Sequence, residues 1–182
     1  MAAASSSKPA SNSEAPPVAL DWARVIAYAI VDSDVTWTGR QIHYVGDEKL
    51  GPVPRLAICQ NLFADTDDVL LFFCDDEWNV LGATGRPTIE ENLEAAERWY
   101  SGISSKWIHT GISREDAERL IREECADSAC SFCNRMPPEV DCMVGSNAEK
   151  TSASANICNY CVDEIYAAMH SKEMTSTGAA DS

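Results

Sequence analysis

Two short cysteine pairs, Cys130-Ser-Phe-Cys133 and Cys158-Asn-Tyr-Cys161, constrain this chain more than any other feature, and 24 residues separate them. A CxxC turn sets two sulfurs close together on a tight knuckle, and a second one completes a four-thiolate shell. Zn2+ suits that donor set, because it takes four soft ligands in a tetrahedron. A shell closed by four cysteines leaves no position for a water. The spacing predicts a structural site with Cys130, Cys133, Cys158 and Cys161 as ligands to Zn2+; an iron–sulfur cluster or disulfides are the competing uses of such cysteines. The second knuckle opens onto Val162-Asp-Glu-Ile-Tyr-Ala-Ala-Met169, which predicts a helix whose first backbone N–H groups support the thiolates.

The other four of the eight cysteines are Cys59, Cys74, Cys125 and Cys142. The first three are expected in the core; Cys142 lies between the knuckles, and competition as a fifth thiol near the zinc is only its minor alternative. The leading MAAASSSKPASNSEAPP has no apolar h-region, so no secretory signal is expected. Nor is there a run of roughly 18 apolar residues to span a membrane. A reducing, cytoplasmic compartment with thiols free or on metal follows as the expectation.

Before the knuckles, the chain reads as an α+β domain: a small antiparallel sheet covered by helices. Expected boundaries are a disordered leader over 1–19, the α+β domain over 20–110, a connecting helix over 111–127, the C4 zinc module over 128–171 and a frayed tail over 172–182. Leu20, Val25, Ile26, Ala29 and Ile30 give a helical stripe, although Val25–Val31 would also suit a buried strand; a short helix before Asp32 is the preferred reading. Val35–Trp37 and Arg40–Val45, split by Thr38-Gly39, predict a hairpin. Arg55–Phe63 reads as a strand, Ala64–Asp68 as a turn, and the continuous apolar run Val69–Cys74 as a central strand. Asp75-Asp76-Glu77 is then a solvated hairpin tip leading to a strand over Trp78–Gly82; a divalent-cation site would need further oxygen ligands. Thr88 and Glu91 form a capping box for a helix with Ile89, Leu93, Ala96 and Trp99/Tyr100 on one face, ending at Gly102. Ser113 and Asp116 open a second helix reaching Ala126, with Ala117, Leu120 and Ile121 inside.

The residues Cys130-Ser-Phe-Cys-Asn-Arg135, Val140 and Ile157-Cys-Asn-Tyr-Cys-Val-Asp-Glu-Ile165 resemble the N-terminal C4 zinc-binding domain of the ClpX unfoldase. The likeness covers about residues 128–169. It implies zinc on Cys130, Cys133, Cys158 and Cys161, packing positions at Phe132, Ile157 and Val162, and a module that dimerises and recruits partners. The segment between the knuckles is longer than the family's connector and holds Cys142. No GxxxxGK[ST] occurs, so the unfoldase's ATPase engine is not expected.

Charge narrows the function classes. Lys and Arg total 14 against 29 Asp and Glu, a net charge of −15. Four thiolates around one divalent ion would move it to −17, subtracting four charges and returning two. Such a field repels phosphate backbones, so a nucleic-acid-associated zinc finger is disfavoured and a basic protein partner favoured. Catalysis has little support: His43, His109 and His170 lie in different elements, and a Cys74–His pair would need a cysteine that ends a buried strand. The sequence points to a non-enzymatic, zinc-containing interaction protein, homodimeric through its zinc module. It would act as an adaptor or regulator, or as an immunity- or inhibitor-type binder of a basic protein. An enzyme with its site in the N-terminal domain is the remaining alternative.

Overall fold

The computed structural model of the chain describes residues 15–45, 47–63, 68–145 and 155–171. The chain divides into two compact units, Met1–Arg119 and Leu120–Ser182. The first contains strands β1 (Ala19–Leu20), β2 (Ala23–Ile30), β3 (Thr36–Trp37), β4 (His43–Val45), β5 (Glu48–Leu50), β6 (Arg55–Asn61), β7 (Val69–Cys74) and β8 (Val80–Arg86). Helix α1 (Ile89–Trp99), β9 (Tyr100–Ser101) and β10 (Ile108–His109) follow, and the boundary between units falls within α2 (Arg114–Glu124). The second unit adds β11 (Met143–Gly145), β12 (Asn156–Cys158) and α3 (Asn159–Ser171). The architecture is α+β, as expected.

The main sheet runs β1-β2-β6-β7-β8 and is antiparallel throughout; β10 joins the outer edge of β2 beside β1. Strands β6 and β7 lie inside it and bury both faces. Leu56, Ile58, Leu71 and Phe73 belong to one apolar cluster, while Ala57, Cys59, Phe72 and Cys74 belong to another. A strand buried on both faces has no reason to alternate polar and apolar residues, which is why Val69–Cys74 reads as an unbroken apolar run.

The helix expected before Asp32 is instead β2, whose burial alternates along Ala23–Ile30. Its stripe Leu20, Val25, Ile26, Ala29, Ile30 is a local coincidence. Pairing with β6 from Ala23↔Asn61 to Ile30↔Arg55 supplies partners that an isolated helix would lack. A bulge between Val25 and Ala27 changes which face the strand presents. Before it Ala23 and Val25 enter the second cluster; after it Ala29 enters the first.

The hairpin expected from Val35–Trp37 and Arg40–Val45 does not form either. β3 pairs with β9, and β4 pairs with β5. A distant partner holds the residues after β3: the Thr38 N–H donates to Trp99 O at 2.9 Å, and its hydroxyl to Arg98 O at 2.9 Å. The strand expected from Trp78 begins two residues later, because Trp78 sits in the turn with φ 66°. Asp75 builds that turn: Oδ1 accepts the N–H of Glu77 and Asn79 at 2.8 and 2.9 Å, and Oδ2 accepts Asn79 Nδ2 at 2.8 Å. The acidic tip is thus a turn device. The turn expected over Ala64–Asp68 lies outside the described residues up to Asp67.

Helix α1 covers the first cluster with Ala96, while Ile89, Leu93 and Trp99 pack at its margin. Thr88 Oγ1 accepts the Glu91 N–H at 3.1 Å and caps it. Asn92 is fully buried; its Nδ2 donates to Thr88 O at 2.8 Å and to Val69 O at 3.2 Å, tying the helix to the start of β7. Past the helix, Gly102 adopts φ 93°, and a Cβ there would stand 3.0 Å from Asp34 O. Only glycine suits that position. Ser113 caps α2, accepting the Asp116 N–H at 3.0 Å.

Candidate metal centre

The second unit is assembled around its cysteines. β11 pairs with β12 in the register Met143↔Cys158, which presents Cys158 at the end of a hairpin just before α3 begins. Cys161 lies in the first turn of α3. The first knuckle is closed locally: the Asn134 N–H donates to Cys130 O at 2.8 Å, the Cys130 N–H to Arg135 O at 2.9 Å, and Asn134 turns through φ 60°. Asn156 fastens the two knuckles together. Its carbonyl accepts the Ser131 N–H at 2.8 Å, its N–H donates to Ser131 Oγ at 3.1 Å, and its Nδ2 donates to Asp127 O at 2.8 Å. A Cβ at Gly145 would come within 2.9 Å of Asn156 Oδ1, so any larger residue there would have to displace the amide of this clamp.

The four sulfurs of Cys130, Cys133, Cys158 and Cys161 lie within 4.8 Å of one another. Cys130 and Cys161 stand 3.8 Å apart, Cys133 and Cys158 3.6 Å. Both distances far exceed an S–S bond of about 2.05 Å. A tetrahedron with metal–sulfur bonds of about 2.3 Å has edges of roughly 3.8 Å, and the observed pairs match it. The group can therefore hold a metal ion. Cys130, Cys158 and Cys161 are buried, and Cys133 is the most open of the four.

The protonation pattern suits ligation. Burial opposes ionisation of Cys130, but N–H groups of Cys133, Phe132 and Cys158 overcome it and bring the thiol down to about 6. Cys158 is also lowered: burial resists, and the Cys161 N–H and the Cys133 side chain prevail. Cys161 is pushed up, by burial first and by the neighbouring sulfurs next. Four crowded sulfurs without a cation cannot all be thiolates, and a divalent ion would remove that conflict.

The packing positions divide. Ile157, Val140 and Met143 pack against the cysteines. Phe132 is instead 66% exposed and Val162 is exposed. When both sulfurs of a CxxC turn inward, the residues between them turn out; likewise Val162 follows an inward-facing Cys161 by one helical step, about 100° round the axis. Cys142 is exposed and outside the four-sulfur group. Cys59 and Cys74 are buried as expected, whereas Cys125 is only partly so. Burial first, then Asp75 and Asp21, pushes the Cys74 thiol up to about 12, which makes it a poor nucleophile. His109 and His170 are exposed.

Sequence reasoning passes over three features. Arg122 grips Glu139 through two bonds of 3.1 and 2.8 Å, and Glu139 also accepts the Met136 N–H at 2.7 Å. Arg135 directs Nη1 at Cys133 Sγ, 3.7 Å away. On α3, Val162, Ile165, Tyr166 and Met169 recur at i, i+3, i+4 and i+7 and are 42–67% exposed. That helical period was visible in the sequence; that no described residue covers the stripe was not. Among the described residues, no helix is long and apolar enough to cross a membrane. No protein-family model, curated protein or solved structure matches the chain.

Proposed function

We propose that this chain is a non-enzymatic, zinc-containing interaction protein. Cys130, Cys133, Cys158 and Cys161 hold one Zn2+ in a closed structural site, which supplies folding energy and no Lewis-acid chemistry. The unit folded in this way docks a second copy of the chain through α3. The observation that carries the docking reading is the apolar stripe of Val162, Ile165, Tyr166 and Met169, which stands in solvent. A stripe repeating over two helical turns is self-complementary about a two-fold axis, the symmetry of most homodimers. A soluble chain gains by covering it.

Dimerisation leaves the acidic surface, net −15, available to steer a basic protein partner. An adaptor or an inhibitor-type role in a reducing, cytoplasmic compartment follows. The docking behaviour implied by the likeness to the ClpX module is consistent with this reading. Light scattering on the full chain should give about twice the 19.8 kDa monomer mass, and Ile165→Asp with Met169→Asp should halve it. A wild-type chain that stays monomeric at high micromolar concentration sinks the dimer. Elemental analysis of protein purified without chelator should find close to one zinc per chain.

A further inference from the structure

Resting on the zinc reading above, we infer that Arg135 is an electrostatic clamp on the outermost ligand, Cys133, and a determinant of how tightly the ion is retained. Four thiolates and one divalent ion carry two excess negative charges, which polar N–H groups around the sulfurs must offset. Two of the three buried sulfurs receive backbone donors. Cys130 meets the N–H groups of Cys133, Phe132 and Cys158, and Cys158 meets that of Cys161. Cys133 is the exposed ligand, and the guanidinium serves it: Arg135 Nη1 lies 3.7 Å from its sulfur.

Three contacts hold Arg135 there, two of them through the guanidinium. Its Cζ stands 4.9 Å from the centre of the Tyr160 ring, a cation–π distance, and Tyr160 lies between the ligands of the second knuckle. The backbone carbonyl of Arg135 accepts the Cys130 N–H at 2.9 Å, anchoring the residue to the first knuckle. The third contact is the one to Cys133 itself. One side chain therefore joins both knuckles across the open side of the site. Among the described residues of this unit the arginines are Arg122 and Arg135, and Arg122 is engaged with Glu139 at 2.8 Å. Arg135 is the cation placed to serve the sulfurs.

Full-length wild type, Arg135→Gln and Arg135→Lys, each loaded with Zn2+ or Co2+, separate this role from a merely structural one. Competition against a chromophoric chelator should show Zn2+ bound about 10-fold more weakly in Arg135→Gln, the lower end of the effect of losing an outer-shell partner. Arg135→Lys should recover part of the loss, because it keeps the charge without the planar fork. In the Co2+ forms, the thiolate-to-cobalt charge-transfer band should move to lower energy in Arg135→Gln, since a sulfur relieved of its cation donates more readily. Unchanged affinity and an unchanged band in Arg135→Gln would overturn the clamp while leaving the metal site standing. Equal losses in the Gln and Lys variants would overturn it too, because charge would then be irrelevant. Failure of the wild type to take up either ion would remove the zinc reading and the clamp together.

Discussion

The two units of this chain reach order by different means. In Met1–Arg119, strands β6 and β7 bury both faces, and large side chains such as Tyr100, Phe73, Leu56 and Ile58 are shut away from water. In Leu120–Ser182, Cys130, Cys158 and Cys161 form a buried cluster with Val140, Met143 and Ile157 half-covered around it, and Ile121, Ala129 and Met136 are buried besides. Several of its large apolar residues, Phe132, Val144, Tyr166 and Met169 among them, face outward. Hydrophobic burial contributes about 25 cal/mol per Å², so the first unit can be held by its core. The second buries fewer large side chains, and the ion proposed for it would add the stability that its smaller core supplies less of.

The sharpest way to break this contrast is to remove the metal. Structural zinc contributes an apparent 10–16 kcal/mol to small modules at neutral pH, more than the whole stability of most domains. A strong chelator, or Cys158→Ser, should therefore unfold residues 120–171 and spare the first unit. Hydrogen exchange read by mass spectrometry would show the second unit losing protection while β6 and β7 keep theirs. Protection retained equally in both units would mean that the second is held by packing after all.

A smaller effect tests the same contrast with one residue type. Phe73 is fully buried in the sheet, while Phe132 is 66% exposed on the first knuckle. Phe73→Ala should cost about 3–5 kcal/mol, from lost burial and the cavity left behind. Phe132→Ala should shift stability by no more than about 0.5 kcal/mol, although the family resemblance implied a packing position there. Chemical denaturation of the metal-loaded protein measures both. A large cost at Phe132 would place a hidden partner surface over the knuckle.

What the sequence disclosed follows from the range over which each feature acts. The cysteine group was legible because a CxxC turn brings its own sulfurs together and the knuckles need only meet. β7 was legible because a strand covered on both faces leaves an unbroken apolar run. β2 was not, since Ala-Arg-Val-Ile-Ala-Tyr-Ala-Ile suits both periods until β6 lies beside it. The pairing of β3 with β9 was out of reach, because the bond that fixes the chain there spans 60 positions, from Thr38 to Arg98. Asn156, Glu139 and Arg135 escaped for the same reason: their roles lie in contacts made after folding, with no local pattern to announce them.

The smallest effect concerns a support of the metal unit that the ion does not provide. Burial alone would raise the Glu139 carboxyl, but the Arg122 guanidinium and the Met136 N–H outweigh it and hold the group below its usual 4.5. A carboxylate depressed on folding adds stability that is fully present above its unfolded value and fades as pH falls through the folded one. The Arg122–Glu139 bridge should thus help in full above the usual value of 4.5 and fade as pH falls below it through the lower folded value. The gain is expected to be about 1 kcal/mol or less, because both side chains keep partial contact with solvent. Acid also strips thiolates of metal, so the wild type alone cannot isolate the bridge. The gap between wild type and Glu139→Gln can, because metal loss enters both curves. That gap should stay at its full width from pH 7 down to the usual value of 4.5 and close as pH falls further below it. A gap that stays constant with pH would show that Glu139 acts through the shape of the Met136–Glu139 turn, leaving the thiolates as the unit's sole acid-sensitive support.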